Sequence, residues 1–201
     1  HLYLCISGTL AAVICIFDPL REDAAGAIDA LHDCGIRRVV MMTGDNAKTA
    51  QSIAQQVGVD DFHAEVLPED KAAYIQKARA EGHTVMMVGD GVNDSPALSE
   101  ADVGISVSTG AAIAREIADV TISSESLYEI VMFRRLSEAL MDRIHRNYRF
   151  IVGFNLLLIL LGVTGVIVPT TSAMLHNAST LAIGLKSMTN LLPENTEQTK
   201  A

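Results

Sequence analysis

Residues 150–185 contain no Asp, Glu, Lys or Arg, a gap of 36 residues. A helix needs about 20 apolar residues to cross roughly 30 Å of hydrocarbon. One such span fits 150–168, and Pro169-Thr170-Thr171 breaks it. A second, more polar span fits 172–192. Residues 150–161 are apolar on every face apart from Asn155, which suits lipid better than a soluble core. Five arginines (Arg134, Arg135, Arg143, Arg146, Arg149) precede the first span, and none lies at the Pro169 turn. That asymmetry predicts a hairpin with both ends on the cytoplasmic side, and the membrane expected is the plasma membrane.

The rest of the chain has the opposite character. Residues 1–130 hold 20 acids and 8 bases, and residues 131–201 hold 4 acids and 7 bases. The net charges are −12 and +3, within a total of −9. An acidic soluble region therefore precedes a basic, membrane-seeking one. The pI near 5.0 argues against nucleic acid as a partner, because a phosphate backbone needs a basic footprint. Hydrophobic residues at 49% exclude a disordered chain. Cys5, Cys15 and Cys34 are odd in number and form no Cys-x-x-Cys, and Cys5 and Cys15 sit in apolar runs and read as buried thiols. The opening His1 and the strand-like run after it read as the interior of a longer protein.

Two β-rich runs, 2–6 and 10–17, flank Ser7-Gly8-Thr9 and predict a hairpin. Helices are predicted over 22–33, 47–57 and from Pro68 to near Gly82. Between them lie short apolar runs, 38–42 and 84–88, each too short for a helix. Strands alternating with such helices imply parallel βαβ units, an α/β fold with a Rossmann-type sheet. Their uniform apolarity fits a sheet covered on both faces. Ligands gather at the carboxyl ends of such strands. Thr43-Gly44-Asp45 and Gly89-Asp90 are thus expected side by side at one sheet edge. Shorter strands are predicted at 103–106 and 120–122. Ser126-x-x-Glu129 fits a capping box at the start of a long amphipathic helix.

Gly89-Asp90-Gly91-Val92-Asn93-Asp94 places two carboxylates four apart in a loop after a buried strand. Two acids that close are costly without a cation, and Mg²⁺ takes one or two carboxylates plus phosphate oxygens. Thr43-Gly44-Asp45-Asn46 offers a hydroxyl and backbone N–H groups at a helix start, a seat for phosphate or a plain N-cap. Lys71 lies in the first turn of its helix, where a cation opposes the dipole, so it calls for a partner, an anion among the candidates.

Together, Thr43-Gly44-Asp45, Pro68-Glu69-Asp70-Lys71 and the run from Gly89 to Leu98 resemble the phosphorylation domain of P-type ATPases. That domain is a branch of the haloacid-dehalogenase-like fold. Asp18-Pro19-Leu20-Arg21 matches the family's Asp-Pro-x-Arg. The paired carboxy-terminal helices resemble the heavy-metal-transporting branch. The resemblance implies that Thr43 and Gly44 hold the transferred phosphoryl group and that Lys71 neutralises its charge. It implies Mg²⁺ on Asp90 and Asp94, Asn93 positioning phosphate, and Asp45, Asp18 and Arg21 supporting ATP. The organisation expected is a partial phosphorylation domain over 1–130, a stalk helix over 131–149, two membrane helices over 150–192 and a cytoplasmic tail over 193–201.

One departure stands out. The family's nucleophile is the Asp of Asp-Lys-Thr-Gly-Thr, and that motif is absent. The nucleotide-binding and actuator domains and the earlier membrane helices are expected in an upstream part, so this chain alone is expected to be inactive. A dehalogenase-type phosphatase ranks lower, because no Asp-x-Asp is present. A non-catalytic membrane-anchored fragment is the other rival.

Asn155 falls mid-span, and His176-Asn177-Ala178-Ser179-Thr180 clusters polar atoms in the second span. His176, Ser179 and Thr180 share a helix face, either as ion ligands or as helix–helix hydrogen bonders. Copper-type pumps carry Met where this chain has His176. Imidazole suits Zn²⁺, Cd²⁺ or a similar divalent ion better than Cu(I), with Mn²⁺ and Co²⁺ as further candidates.

Overall fold

The computed structural model describes residues 2–14, 19–90, 93–107, 116–122 and 126–192. Asp18, Cys15, Gly91, Val92 and the tail 193–201 lie outside them. The chain divides into two compact units, His1–Val131 and Met132–Ala201.

The first unit opens with a β-hairpin, β1 (Leu2–Ile6) and β2 (Thr9–Ile14). Ser7 and Gly8 both take positive φ, 53° and 79°, the pair of left-handed residues that a two-residue type I′ turn requires. Thr9 pairs with Ile6, so the connection is one residue shorter than the sequence suggests. Cys5 is exposed, contrary to the expected buried thiol, because both faces of this two-stranded hairpin are solvated. Cys34 is buried.

Helix α1 (Ala24–Asp33) and helix α2 (Ala47–Val57) turn small residues inward, Ala27 and Leu31 from one and Ala50, Ala54 and Val57 from the other. Alanine at those positions lets the helices approach closely at little entropic cost. Gly58 ends α2 with φ 77°, the left-handed cap that only glycine adopts without strain. Strand β3 (Val40–Met42) precedes α2 and pairs in parallel with β4 (Asp61–His63). Helix α3 (Pro68–Ala80) has Pro68 at its start, and the Asp70 carboxylate reaches back to accept from the Leu67 amide at 3.2 Å.

Strand β5 (Met86–Gly89), helix α4 (Ser95–Glu100), β6 (Val103–Val107) and β7 (Val120–Ile122) complete the unit. The strands form a parallel sheet in the order β5-β6-β7. Ile75, Met87, Ala97 and Leu98 form a core that clamps α3 and α4 against β5. Each of the larger side chains contributes about 1.5–3 kcal/mol by leaving water. The parallel α/β architecture is the expected one, but β3 and β5 fall in separate sheets rather than side by side. One edge of β3 is taken by β4 and one edge of β5 by β6, and no described strand joins the two remaining edges.

Helix α5 (Tyr128–Val163) starts in the first unit and continues into the second without a break. The stalk read over 131–149 and the first apolar span are therefore one helix. It stops five residues short of 168, where Gly165 takes φ 75° and the chain turns. Helix α6 (Pro169–Ser187) follows, with Pro169 in its first turn, where its missing N–H costs nothing. Among the described residues, α5 alone is long and apolar enough to cross a bilayer.

Candidate functional site

The loop after β3 is tied down by backbone bonds. The Thr43 amide donates to the His63 carbonyl at 3.0 Å, Val66 donates to Thr43, and Glu65 donates to Asp45. The Thr43 hydroxyl donates to the Asp45 carboxylate at 3.0 Å and accepts from the Asp45 amide at 3.1 Å. The cap of α2 is Asn46, whose side chain accepts from the Thr49 amide. Two of the amides expected to face phosphate, those of Thr43 and Asp45, are thus already paired, while Gly44 keeps its amide unpaired among the described residues.

Lys71 finds the partner that its position demands. Its Nζ donates to Asp94 Oδ1 at 2.7 Å, with the two side chains only 15% and 13% exposed. The pair joins α3 to the segment after β5, across 23 residues of sequence. Gly89 lies against the same carboxylate. A Cβ there would meet Asp94 Oδ2 at 2.5 Å and Asp94 Cβ at 2.8 Å. Glycine is therefore required by close approach rather than by backbone angle. Asp90 and Asn93 are exposed at the same strand end. The arrangement sets a sheltered cation and a sheltered carboxylate together, with a second carboxylate at the rim.

Among the described residues, no group of three or more His, Cys, Asp and Glu makes a self-sufficient metal cage. A metal on Asp90 and Asp94 would complete its shell from water or ligand oxygens, the habit of Mg²⁺. Arg21 pairs with Asp23 at 3.3 Å, and Asp18 lies outside the described residues.

In the second unit, His176 Nδ1 and Asn155 Oδ1 meet at 2.7 Å, joining α5 and α6. Ser179 and Thr180 donate their hydroxyls to the His176 carbonyl at 2.8 and 3.0 Å. Both hydroxyls are spent on their own helix, as Ser and Thr often are. Asn177 is exposed.

The description haloacid dehalogenase-like hydrolase matches residues 2–102. The chain belongs to that family. The manganese-exporting P-type ATPase of Mycobacterium tuberculosis is 40% identical over 183 residues, 90% of this chain and 26% of that protein. The copper-transporting P-type ATPase of Rhizobium leguminosarum is 44% identical over 156 residues, 78% of this chain and 18% of that protein. A solved zinc-transporting PIB-type ATPase in the E2.Pi state superposes with a TM-score of 0.81 at 30% identity, covering 90% of this chain and 30% of that chain. The homologues are thus heavy-metal P-type ATPases, and the chain spans about a quarter of the length of the manganese exporter.

Three features of this dehalogenase-like chain escape a linear reading. Asp23 accepts from Ser126 and Leu127, so the acid at the start of α5 comes from a distant segment. Arg143 donates to the carbonyls of Ser187, Thr189 and Asn190 at 2.6–3.0 Å, fastening the end of α6. Ser106 is fully buried with an unpaired hydroxyl, opposite Gly89 in the β5–β6 register. Only the last had a local signal, a lone hydroxyl between apolar neighbours in a strand.

Proposed function

We propose that the chain supplies the phosphate and Mg²⁺ site, and the last two membrane helices, of an ATP-driven heavy-metal pump. The observation that carries this reading is Lys71 held on Asp94 at 2.7 Å beside a glycine whose replacement would displace that carboxylate. Phosphoryl transfer is mostly positioning and charge neutralisation, and the site brings both signs of charge to one strand end. In this reading Thr43 and Gly44 hold the phosphoryl oxygens, Lys71 offsets their charge, Asn93 orients them, and Asp90 and Asp94 hold Mg²⁺. When bound, Mg²⁺ supplies further neutralisation of the phosphate oxygens. Asp45, Asp18 and Arg21 serve the nucleotide.

The phosphorylated aspartate, the nucleotide and actuator domains and the earlier membrane helices belong to the remainder of the protein. The proposed organisation is 1–130, 131–149, 150–192 and the tail 193–201, with the acidic region in the cytoplasm at the plasma membrane. Asn155 and His176 are the proposed contacts for the ion, with Asn177, Ser179 and Thr180 as further candidates. Nitrogen and oxygen donors favour Zn²⁺ or Mn²⁺ over Cu(I), which prefers sulfur.

The test uses the intact protein in proteoliposomes. ATP is expected to form an acid-stable, hydroxylamine-sensitive phosphoenzyme that Asp90→Asn, Asp94→Asn and Lys71→Met each suppress. Undiminished phosphoenzyme in all three variants overturns the site. Zn²⁺ or Mn²⁺ is expected to stimulate hydrolysis, and His176→Ala to abolish the stimulation. Stimulation by Cu(I) alone refutes the ion assignment.

A further inference from the structure

Asp23 lies immediately before α1 and uses both of its carboxylate oxygens. Oδ1 accepts from Arg21 Nε at 3.3 Å. Oδ2 accepts from the Ser126 hydroxyl at 2.9 Å and from the Leu127 amide at 2.8 Å. The second set of partners lies 103 and 104 residues along the chain. A helix start leaves backbone N–H groups without intrahelical partners, and nearby side chains normally satisfy them. Here a carboxylate from another segment takes the amide just ahead of Tyr128, the first residue of α5. Ser126 adds a local bond, its hydroxyl accepting from the Tyr128 amide at 3.2 Å.

Packing fixes the same junction. A Cβ built on Gly26 of α1 would overlap the Tyr128 hydroxyl. The Tyr128 side chain therefore lies directly against the first turn of α1, and an added methyl there would have to displace its hydroxyl end. Burial works to raise the pKa of Asp23, but the Leu127 amide, the Ser126 hydroxyl and Arg21 outweigh it and hold the carboxyl below its ordinary value. The group is thus an anion at neutral pH, and all three bonds are charge-assisted.

We propose that Asp23 is a positioning residue that links Arg21, at the nucleotide-supporting motif, to the start of the helix that carries the apolar span. The proposal rests on the pump reading above. One carboxylate serves both partners, so an anion that draws Arg21 away from Oδ1 alters the charge and orientation that Oδ2 presents to Leu127. The linkage is reciprocal, because a change in equilibrium at one partner must appear at the other. Nothing in the sequence places Asp23 near residue 127.

The test compares wild type, Asp23→Ala and Asp23→Asn in the intact protein, with a non-hydrolysable ATP analogue. In wild type the analogue is expected to change amide exchange at Leu127 and Tyr128 by about tenfold, a typical allosteric coupling. In Asp23→Ala that response disappears while phosphorylation by inorganic phosphate stays within about threefold of wild type. Metal stimulation of ATP hydrolysis falls about tenfold in Asp23→Ala, and less in Asp23→Asn, which keeps an acceptor oxygen. An unchanged exchange response in Asp23→Ala overturns the link. So does a parallel loss of phosphorylation by inorganic phosphate, the mark of simple misfolding. A wild-type protein that no metal stimulates counts against the pump reading, and the exchange comparison then decides the link by itself.

Discussion

Replacing Gly89 with alanine tests the site most directly. The added methyl would sit 2.5 Å from Asp94 Oδ2, 2.8 Å from Asp94 Cβ and 3.0 Å from Asp94 Cγ. Ordinary contact begins at 3.4 Å, so Asp94 must retreat by about 0.9 Å. Rotating the carboxylate relieves only the first clash, because Cβ moves with the backbone. With the rotamer kept, the retreat of about 0.9 Å stretches the Lys71–Asp94 bond from 2.7 Å to about 3.6 Å, beyond hydrogen-bond range. With the carboxylate rotated, the remaining retreat is about 0.6 Å, but Oδ1 turns off its line to Lys71. Overpacking of this kind costs about 1–3 kcal/mol of stability. A displacement of about 1 Å in a reacting constellation costs on the order of 100-fold in rate, or about 2.7 kcal/mol of barrier. The assays are thermal unfolding of the chain and the rate of Mg²⁺-dependent phosphorylation of the intact protein. A Gly89→Ala protein that phosphorylates within about threefold of wild type would refute the reasoning.

Other outcomes follow from the same contacts. Asp61 is also held below its ordinary pKa, first by the Phe62 amide and then by Arg38. For both Asp23 and Asp61 the stabilising contribution is complete above an unfolded carboxylate pKa of about 4 and is lost as pH falls through the lower folded values. Unfolding midpoints from pH 7 to pH 2 should therefore drop steeply only at the acid end, and Asp23→Asn should flatten that drop. Arg143→Ala should free three carbonyls and cost about 1–3 kcal/mol, read as faster amide exchange in the last turn of α6 in detergent. Ser106→Ala removes a buried, unpaired hydroxyl and should be neutral or stabilise by up to about 1 kcal/mol in thermal unfolding.

Local punctuation made much of the first unit legible. Gly58 and Gly82 mark helix ends because both take positive φ, and Pro68 marks a start because its missing N–H is harmless there. The apolar runs at 38–42 and 84–88 were readable as strands because they are too short to be helices, and the strands form over Val40–Met42 and Met86–Gly89. Strand β4 was not readable, since Asp61-Phe62-His63 is only three residues long and carries a single apolar side chain. Its existence depends on β3, which supplies its hydrogen bonds. Within the candidate site, the need of Lys71 for a partner was legible from its place in a first turn. The identity of that partner was not, because side chains 23 residues apart meet only through tertiary packing. Asn155 and His176 stood out as polar atoms in apolar spans, while their meeting at 2.7 Å depends on how α5 and α6 pair. The expected adjacency of β3 and β5 failed because sheet order is set by pairing, not by resemblance between strands.

The fastening made by Arg143 has a property that the other helix-end contacts lack. Its acceptors are three backbone carbonyls, and no carboxylate partners it among the described residues. Guanidinium stays protonated at any accessible pH, and carbonyls do not titrate. The grip on the end of α6 is therefore indifferent to acid, whereas the anionic bracket at the start of α5 loosens in it. Acid strong enough to protonate Asp23, below the ordinary carboxylate range, becomes a selective reagent for this chain, releasing one helix terminus while the other stays latched.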